Sequence, residues 1–71
     1  MKKEQASQLY LLVNDKSNMD ALKFYVDLRI EFLKEALTKV DTIDELRRTQ
    51  GAIDELKRLK SIRDEVNNPR D

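Results

Sequence analysis

The stretch from Ser17 to Val40 reads SNMDALKFYVDLRIEFLKEALTKV, and its apolar pattern decides the fold. At about 100° per residue, one apolar stripe about 80° wide is formed by Leu22, Val26, Ile30, Leu33, Leu37 and Val40. A second stripe beside it is formed by Ala21, Tyr25, Leu28, Phe32 and Ala36. The two stripes together span about 200°, roughly twice the arc of a helix with one buried face. The pattern therefore predicts a helix over 18–40 that is covered on two sides.

The start and end of this second helix have local signals. Ser17 or Asn18 can accept a hydrogen bond from the free amides of the first turn, and Asp20 carries a charge that suits the positive end of the helix dipole. Near the other end, Thr42 and Glu45 have the spacing of a capping box. This box predicts a break at Asp41-Thr42 and a third helix over 43–66. The alternative is one unbroken helix from 17 to 66.

The remaining segments are short. Apolar residues at helical spacing predict a first helix over 3–13, with a stripe formed by Ala6, Leu9, Tyr10 and Val13. The run from Leu9 to Val13 is also compatible with a strand, but no second strand is available to pair with it. Residues 14–18 are turn formers, and Pro69 disfavours helix before it, which leaves a tail over 67–71.

The fold class that follows is all-α: a short N-terminal helix and a two-helix antiparallel hairpin in a single small domain. A chain of 71 residues hides only about 60% of the surface that its unfolded form exposes. A hairpin covers one side of an arc 200° wide, and the short first helix could cover only part of the remainder, so Tyr25, Leu28 and Phe32 would be left in water. We therefore predict that the protein self-associates, as a dimer or larger, through this stripe about a two-fold axis.

Composition excludes several classes of function. The chain has no histidine and no cysteine, which removes the usual general base, the commonest metal ligand and the thiolate nucleophile. We therefore expect no enzyme, no catalytic residue, no cofactor and no metal site. Asp27, Glu31 and Glu35 line one ridge of the second helix and could ligate a hard cation, but their spacing to lysines is that of ordinary ion pairs, and we interpret them as a solvated ridge.

Charge and hydropathy limit the partners. The 14 basic and 14 acidic residues balance to a net charge of zero, whereas a nucleic-acid binder shows a basic excess or stripe. The basic residues between Lys57 and Arg63 are bracketed by acidic ones, so nucleic acid is not an expected partner. The longest apolar run is Leu9 to Val13, too short for a secretory signal or a membrane span. We expect no membrane contact and a cytoplasmic location.

Two residues stand out as candidates for an interface. Arg29 lies between the two stripes of the second helix. Its alkyl stem can lie on apolar surface while its head reaches solvent, or it can pair with a carboxylate of another helix or chain. Gly51 is the only glycine and costs about 1 kcal/mol inside a helix. It is either a C-terminal cap after Gln50 or, as we favour, a point where a neighbouring backbone approaches. The predicted interface comprises Tyr25, Leu28, Arg29, Phe32 and Gly51.

The segment from Phe24 to Val66 resembles small helical proteins encoded by tailed bacteriophages. Those proteins combine an aromatic-rich helix, a short acidic break and a helix with a Leu-Arg-x-x-x-Gly-x-Ile-x-x-Leu pattern. The matching residues here are Phe24-Tyr25, Asp41-Thr42, Leu46-Arg47, Gly51, Ile53 and Leu56. The resemblance covers about forty residues, and the segment before Ser17 has no counterpart. It implies a non-enzymatic accessory or virion-associated protein, located in the host cytoplasm or in the virion.

The sequence therefore predicts a non-enzymatic protein–protein interaction protein, structural or adaptor in role, whose partners are itself and another protein. The alternative is a small helical inhibitor or regulator that docks onto a host macromolecule, such as a nucleic-acid enzyme. The two hypotheses differ in the partner, which the sequence does not name.

Overall fold

The computed structural model describes residues 1–70, of which 80% are helical and none form a strand. The helices are α1 (Lys3–Val13), α2 (Lys16–Leu37), α3 (Ile43–Leu59) and α4 (Ile62–Asn67). Helices α2 and α3 pack as a hairpin, while α1 packs against α4 and against α2. The predicted all-α fold, with a short first helix and a helical hairpin, is confirmed. Of the predicted tail 67–71, Asp71 lies outside the described residues.

Helix α2 begins two residues earlier than predicted, because a different residue caps it. The Asn18 backbone N–H donates to the Asp15 carboxylate at 2.9 Å. Asp15 has extended backbone angles, as an N-cap residue requires. The prediction that Ser17 or Asn18 caps the helix is therefore wrong. Both residues lie in its first turn.

Helix α2 also ends earlier than predicted, at Leu37 instead of Val40. The Thr38 N–H donates to the Glu35 carbonyl at 3.1 Å, and the Lys39 N–H donates to the Ala36 carbonyl at 3.0 Å. These bonds span three residues instead of four, so they tighten the last turn and satisfy carbonyls that the helix would leave free.

The predicted break before α3 is confirmed, and Thr42 caps the new helix. The Glu45 N–H donates to the Thr42 hydroxyl oxygen at 3.1 Å. The Glu45 carboxylate in turn accepts from the Asp41 N–H at 3.3 Å, one residue before the position that a standard capping box would use. The continuous helix over 17–66 is thus excluded.

The predicted third helix over 43–66 is wrong in one respect, because it is interrupted after Leu59. The Ser61 N–H and its hydroxyl both donate to the Arg58 carbonyl, at 2.9 and 2.7 Å. The Glu65 N–H then donates to the Ser61 carbonyl at 3.1 Å, which restarts the helical pattern as α4. A serine that bonds back to its own helix often bends the helix.

Because of this bend, α3 and α4 contribute residues to two different apolar clusters. One is centred on Val26, Ile30 and Ile53 and joins α2 to α3; its partly buried members are Leu22, Leu33, Leu37 and Leu56. The other joins α1, α2 and α4 and contains Ala6, Leu9, Val13, Met19, Leu22, Ile62 and Val66. Leu22 packs against both clusters. A straight continuation of α3 would not bring Ile62 and Val66 onto α1.

Polar contacts also join the residues at the end of α4 and after it to the two ends of α1. The side-chain amides of Asn14 and Asn67 donate to each other's oxygens, both at 3.0 Å. The Arg70 backbone N–H donates to the Met1 carbonyl at 2.7 Å. Residues 67–70 are therefore fixed against the start of α1 as well as against its end.

The molecule is thin. It extends 43 × 28 × 13 Å. Packed helices lie 8–10 Å apart, so three stacked layers would need at least about 16 Å. At 13 Å the molecule has room for at most two layers of helices. The other helices can therefore cover only one side of α2, and its opposite side faces solvent.

Candidate protein–protein interface

Helix α2 turns one apolar stripe inward and leaves a second apolar surface in solvent. Val26 and Ile30 of the first stripe are 0% and 5% exposed. On the opposite side of the helix, large side chains retain more than half of their accessible surface. We call these four residues the outer face: Phe24 (66%), Tyr25 (57%), Leu28 (54%) and Phe32 (59%).

The outer face is a ridge of side chains on a rigid element. Phe24, Leu28 and Phe32 are four residues apart and so lie one above the other along the helix, with Tyr25 beside them. The inner stripe fixes this orientation, because Val26 and Ile30 must face Ile53 of α3. An exposed apolar ridge of this kind is the surface that helix-on-helix packing uses.

Arg29 lies at the border of the outer face and contacts it within the same chain. Its guanidinium lies 5.1 Å from the centre of the Phe32 ring, within the range of a cation–π interaction. Arg29 is exposed and forms no ion pair with any residue in the range 1–70. The interpretation that its head reaches solvent therefore fits the isolated chain. A carboxylate partner from another chain stays a prediction.

Gly51 lies away from the outer face. Ile53, two residues later, faces α2, so Gly51 is rotated about 200° from it and points to solvent. A Cβ atom added to Gly51 would meet nothing within 4 Å, and its φ is not positive. The interpretation that Gly51 admits a neighbouring backbone is therefore wrong within the chain, as is the C-cap alternative, because α3 continues to Leu59.

Of the five predicted interface residues, the structure groups Tyr25, Leu28, Arg29 and Phe32 on one side of α2 and separates Gly51 from them. Sequence reasoning missed Phe24, although its position four residues before Leu28 was a usable signal. It also missed Leu11 on α1, which is 84% exposed. The signal for Leu11 was a large apolar residue outside the single stripe assigned to that helix.

The acidic ridge of α2 is engaged by lysines. Lys60, directly after α3, forms an ion pair with Asp27, and Lys34 pairs with Glu31 at 3.6 Å. Within residues 1–70 there is no group of three or more acidic side chains arranged to hold a metal ion. Asp27 and Glu31 are thus exposed, ion-paired side chains beside the outer face. No helix in the same range has the length and apolar character that crossing a bilayer requires.

Comparisons with known proteins identify no relative. No protein-family model matches the chain, and neither curated proteins nor solved structures give a significant match. The resemblance to small proteins of tailed bacteriophages therefore stays a prediction.

Proposed function

We propose that this is a non-enzymatic protein that acts by binding another protein chain through the outer face of α2. The observation that carries the proposal is the exposure of four large apolar side chains on one side of a long, well-supported helix. Burying each of them against a partner would be favourable by on the order of 1 kcal/mol. Aromatic residues with an arginine at their border are also the residue types enriched in interfaces.

The role that fits this surface is structural or adaptor. Leu11, with Tyr10 and Leu12 beside it, leaves a second apolar surface exposed on a different helix, and a protein with two such surfaces can join two partners. The regulator hypothesis uses the same outer face and differs only in its partner, a host macromolecule. The resemblance to small proteins of tailed bacteriophages implies that this structural or adaptor role is exercised in the virion.

The test is site-specific photo-crosslinking in the organism that encodes the chain. A photoreactive phenylalanine analogue replaces Leu28 in one variant and Glu55 in a control. Glu55 is exposed and lies about 160° around α3 from Ile53, so it points away from α2. We expect discrete protein adducts from position 28 and few from position 55. Equal, diffuse labelling from both positions would contradict a binding role for the outer face.

A further inference from the structure

We infer that the partner on the outer face of α2 is a second copy of this chain, related by a two-fold axis that passes near Leu28. This inference rests on the proposed function and names its partner. It is carried by the surface area of the chain, the symmetry of the exposed ridge and the charge balance.

The isolated chain exposes more surface than a compact monomer of its mass. It exposes 5815 Å², whereas a folded monomer of this mass is expected to expose about 4,600 Å². The radius of gyration, 14.9 Å, likewise exceeds the roughly 11 Å expected for a compact domain of this length. The excess of about 1,200 Å² is more than the ~800 Å² that each partner buries in a standard interface. Two copies that each buried this excess would form an interface in the homodimer range of about 2,000 Å² or more.

The ridge is complementary to itself. Phe24 and Phe32 lie at equal distances, four residues, on either side of Leu28. A two-fold axis at Leu28 therefore sets one apolar ridge against an identical one, with a large side chain facing each large side chain. A self-complementary patch is what an isologous dimer requires.

The charges do not oppose this pairing. The chain carries no net charge, so two copies meet without overall repulsion. By helical position, Arg29 borders the outer face on one side and Glu31 borders it on the other. The rim thus contains both signs of charge, as a surface that binds its own copy needs.

The first experiment is sedimentation equilibrium of the purified chain and of two matched variants. Leu28→Glu places a charge at the proposed axis. Ile43→Glu makes the same kind of change at an apolar residue of α3 that is 66% exposed. We expect a dimer for the wild type and for Ile43→Glu, and at least a 100-fold weaker association for Leu28→Glu. A folded wild type that is monomeric at 100 µM, or a Leu28→Glu variant that dimerises as tightly, would overturn the inference.

The second experiment keeps the inference testable if Leu28→Glu fails to fold. The chain has no cysteine, so Leu28→Cys and Glu55→Cys each carry one thiol. We expect mild oxidation to link Leu28→Cys into a covalent dimer and to leave Glu55→Cys unlinked, because only a residue close to the axis meets its own copy. Equal linking of both variants would overturn the inference.

The two proposals fail separately. A monomeric purified chain whose position 28 still crosslinks a different protein in cells removes the second copy but keeps the binding function. A lack of specific crosslinks at position 28 in cells removes the binding function itself.

Discussion

Gly51 lies in the middle of α3 with open space where a side chain would begin. We expect Gly51→Ala to raise the free energy of unfolding by about 0.5–1 kcal/mol, because alanine restricts the unfolded chain and favours helix without a clash. The adjacent Ala52 is also exposed, so Ala52→Gly is a matched control that should lose a similar amount. Urea denaturation of both variants measures the effect. A destabilised Gly51→Ala would mean that another chain approaches this position closely.

The Thr42 hydroxyl satisfies a free amide at the start of α3. We expect Thr42→Ala to lower the free energy of unfolding by about 1 kcal/mol, as loss of an N-cap does, while Thr42→Ser keeps most of it. Thr38→Ala is the control, since the Thr38 hydroxyl donates to a carbonyl at the end of α2 and caps no amide. Equal losses for Thr42→Ala and Thr38→Ala would contradict the capping role.

At the scale of the element, α4 stabilises α1 by packing against its apolar side. Val66 is 2% exposed within the cluster formed by α1, α2 and α4. We expect Val66→Ala to cost about 1–3 kcal/mol through lost burial and the cavity that remains. In this variant, amide hydrogen exchange should show protection lost in α1 before it is lost in the α2–α3 hairpin. The reason is that the two clusters share only Leu22 among their described members, so a defect in one cluster need not reach the other.

The control for this prediction is Ile53→Ala, which removes apolar volume from the other cluster. That variant should lower protection in α2 and α3 first. If both variants lowered protection evenly over the whole chain, the two clusters would unfold as one cooperative unit, and the expected local effect would be wrong.

The elements differ in how far the sequence determines them. The inner stripe of α2 was predictable because its apolar residues repeat at helical spacing over several turns, which no strand or loop pattern imitates. Val26 and Ile30 are buried as expected. The start of α2 was not, because Asp15, Ser17 and Asn18 are all good caps and only backbone angles choose among them. The bend at Ser61 depends on where α1 lies, and that is tertiary information.

The candidate site was predictable to a similar degree. Tyr25, Leu28 and Phe32 emerged from an apolar arc too wide for one covering helix, and all three are exposed. Phe24 was missed because stripes counted from Ala21 and Tyr25 pass beside it. Gly51 was misplaced because the sequence around a glycine in a helix does not show whether that glycine faces a neighbouring helix or solvent.

At the scale of the whole molecule, the proposed dimer makes stability depend on concentration. A tenfold increase in concentration stabilises a dimer relative to its unfolded chains by about 1.4 kcal/mol. For two chains of 71 residues we expect the melting temperature to rise by about 5 °C per tenfold increase. Leu28→Glu should melt at a temperature that does not change with concentration. Identical behaviour of the two proteins in calorimetry would contradict a dimer through the outer face.

The contact between the Arg70 N–H and the Met1 carbonyl has a topological consequence. The path of the backbone from residue 1 to residue 70 forms a nearly closed circuit, so a linker of a few residues could join the two ends without moving a helix. New ends could then be opened between α2 and α3, where the chain is exposed. Cyclisation alone would reduce the entropy of the unfolded chain and stabilise the fold by up to about 4 kcal/mol. The fold would then depend on which helices adjoin around the circuit and not on which of them comes first.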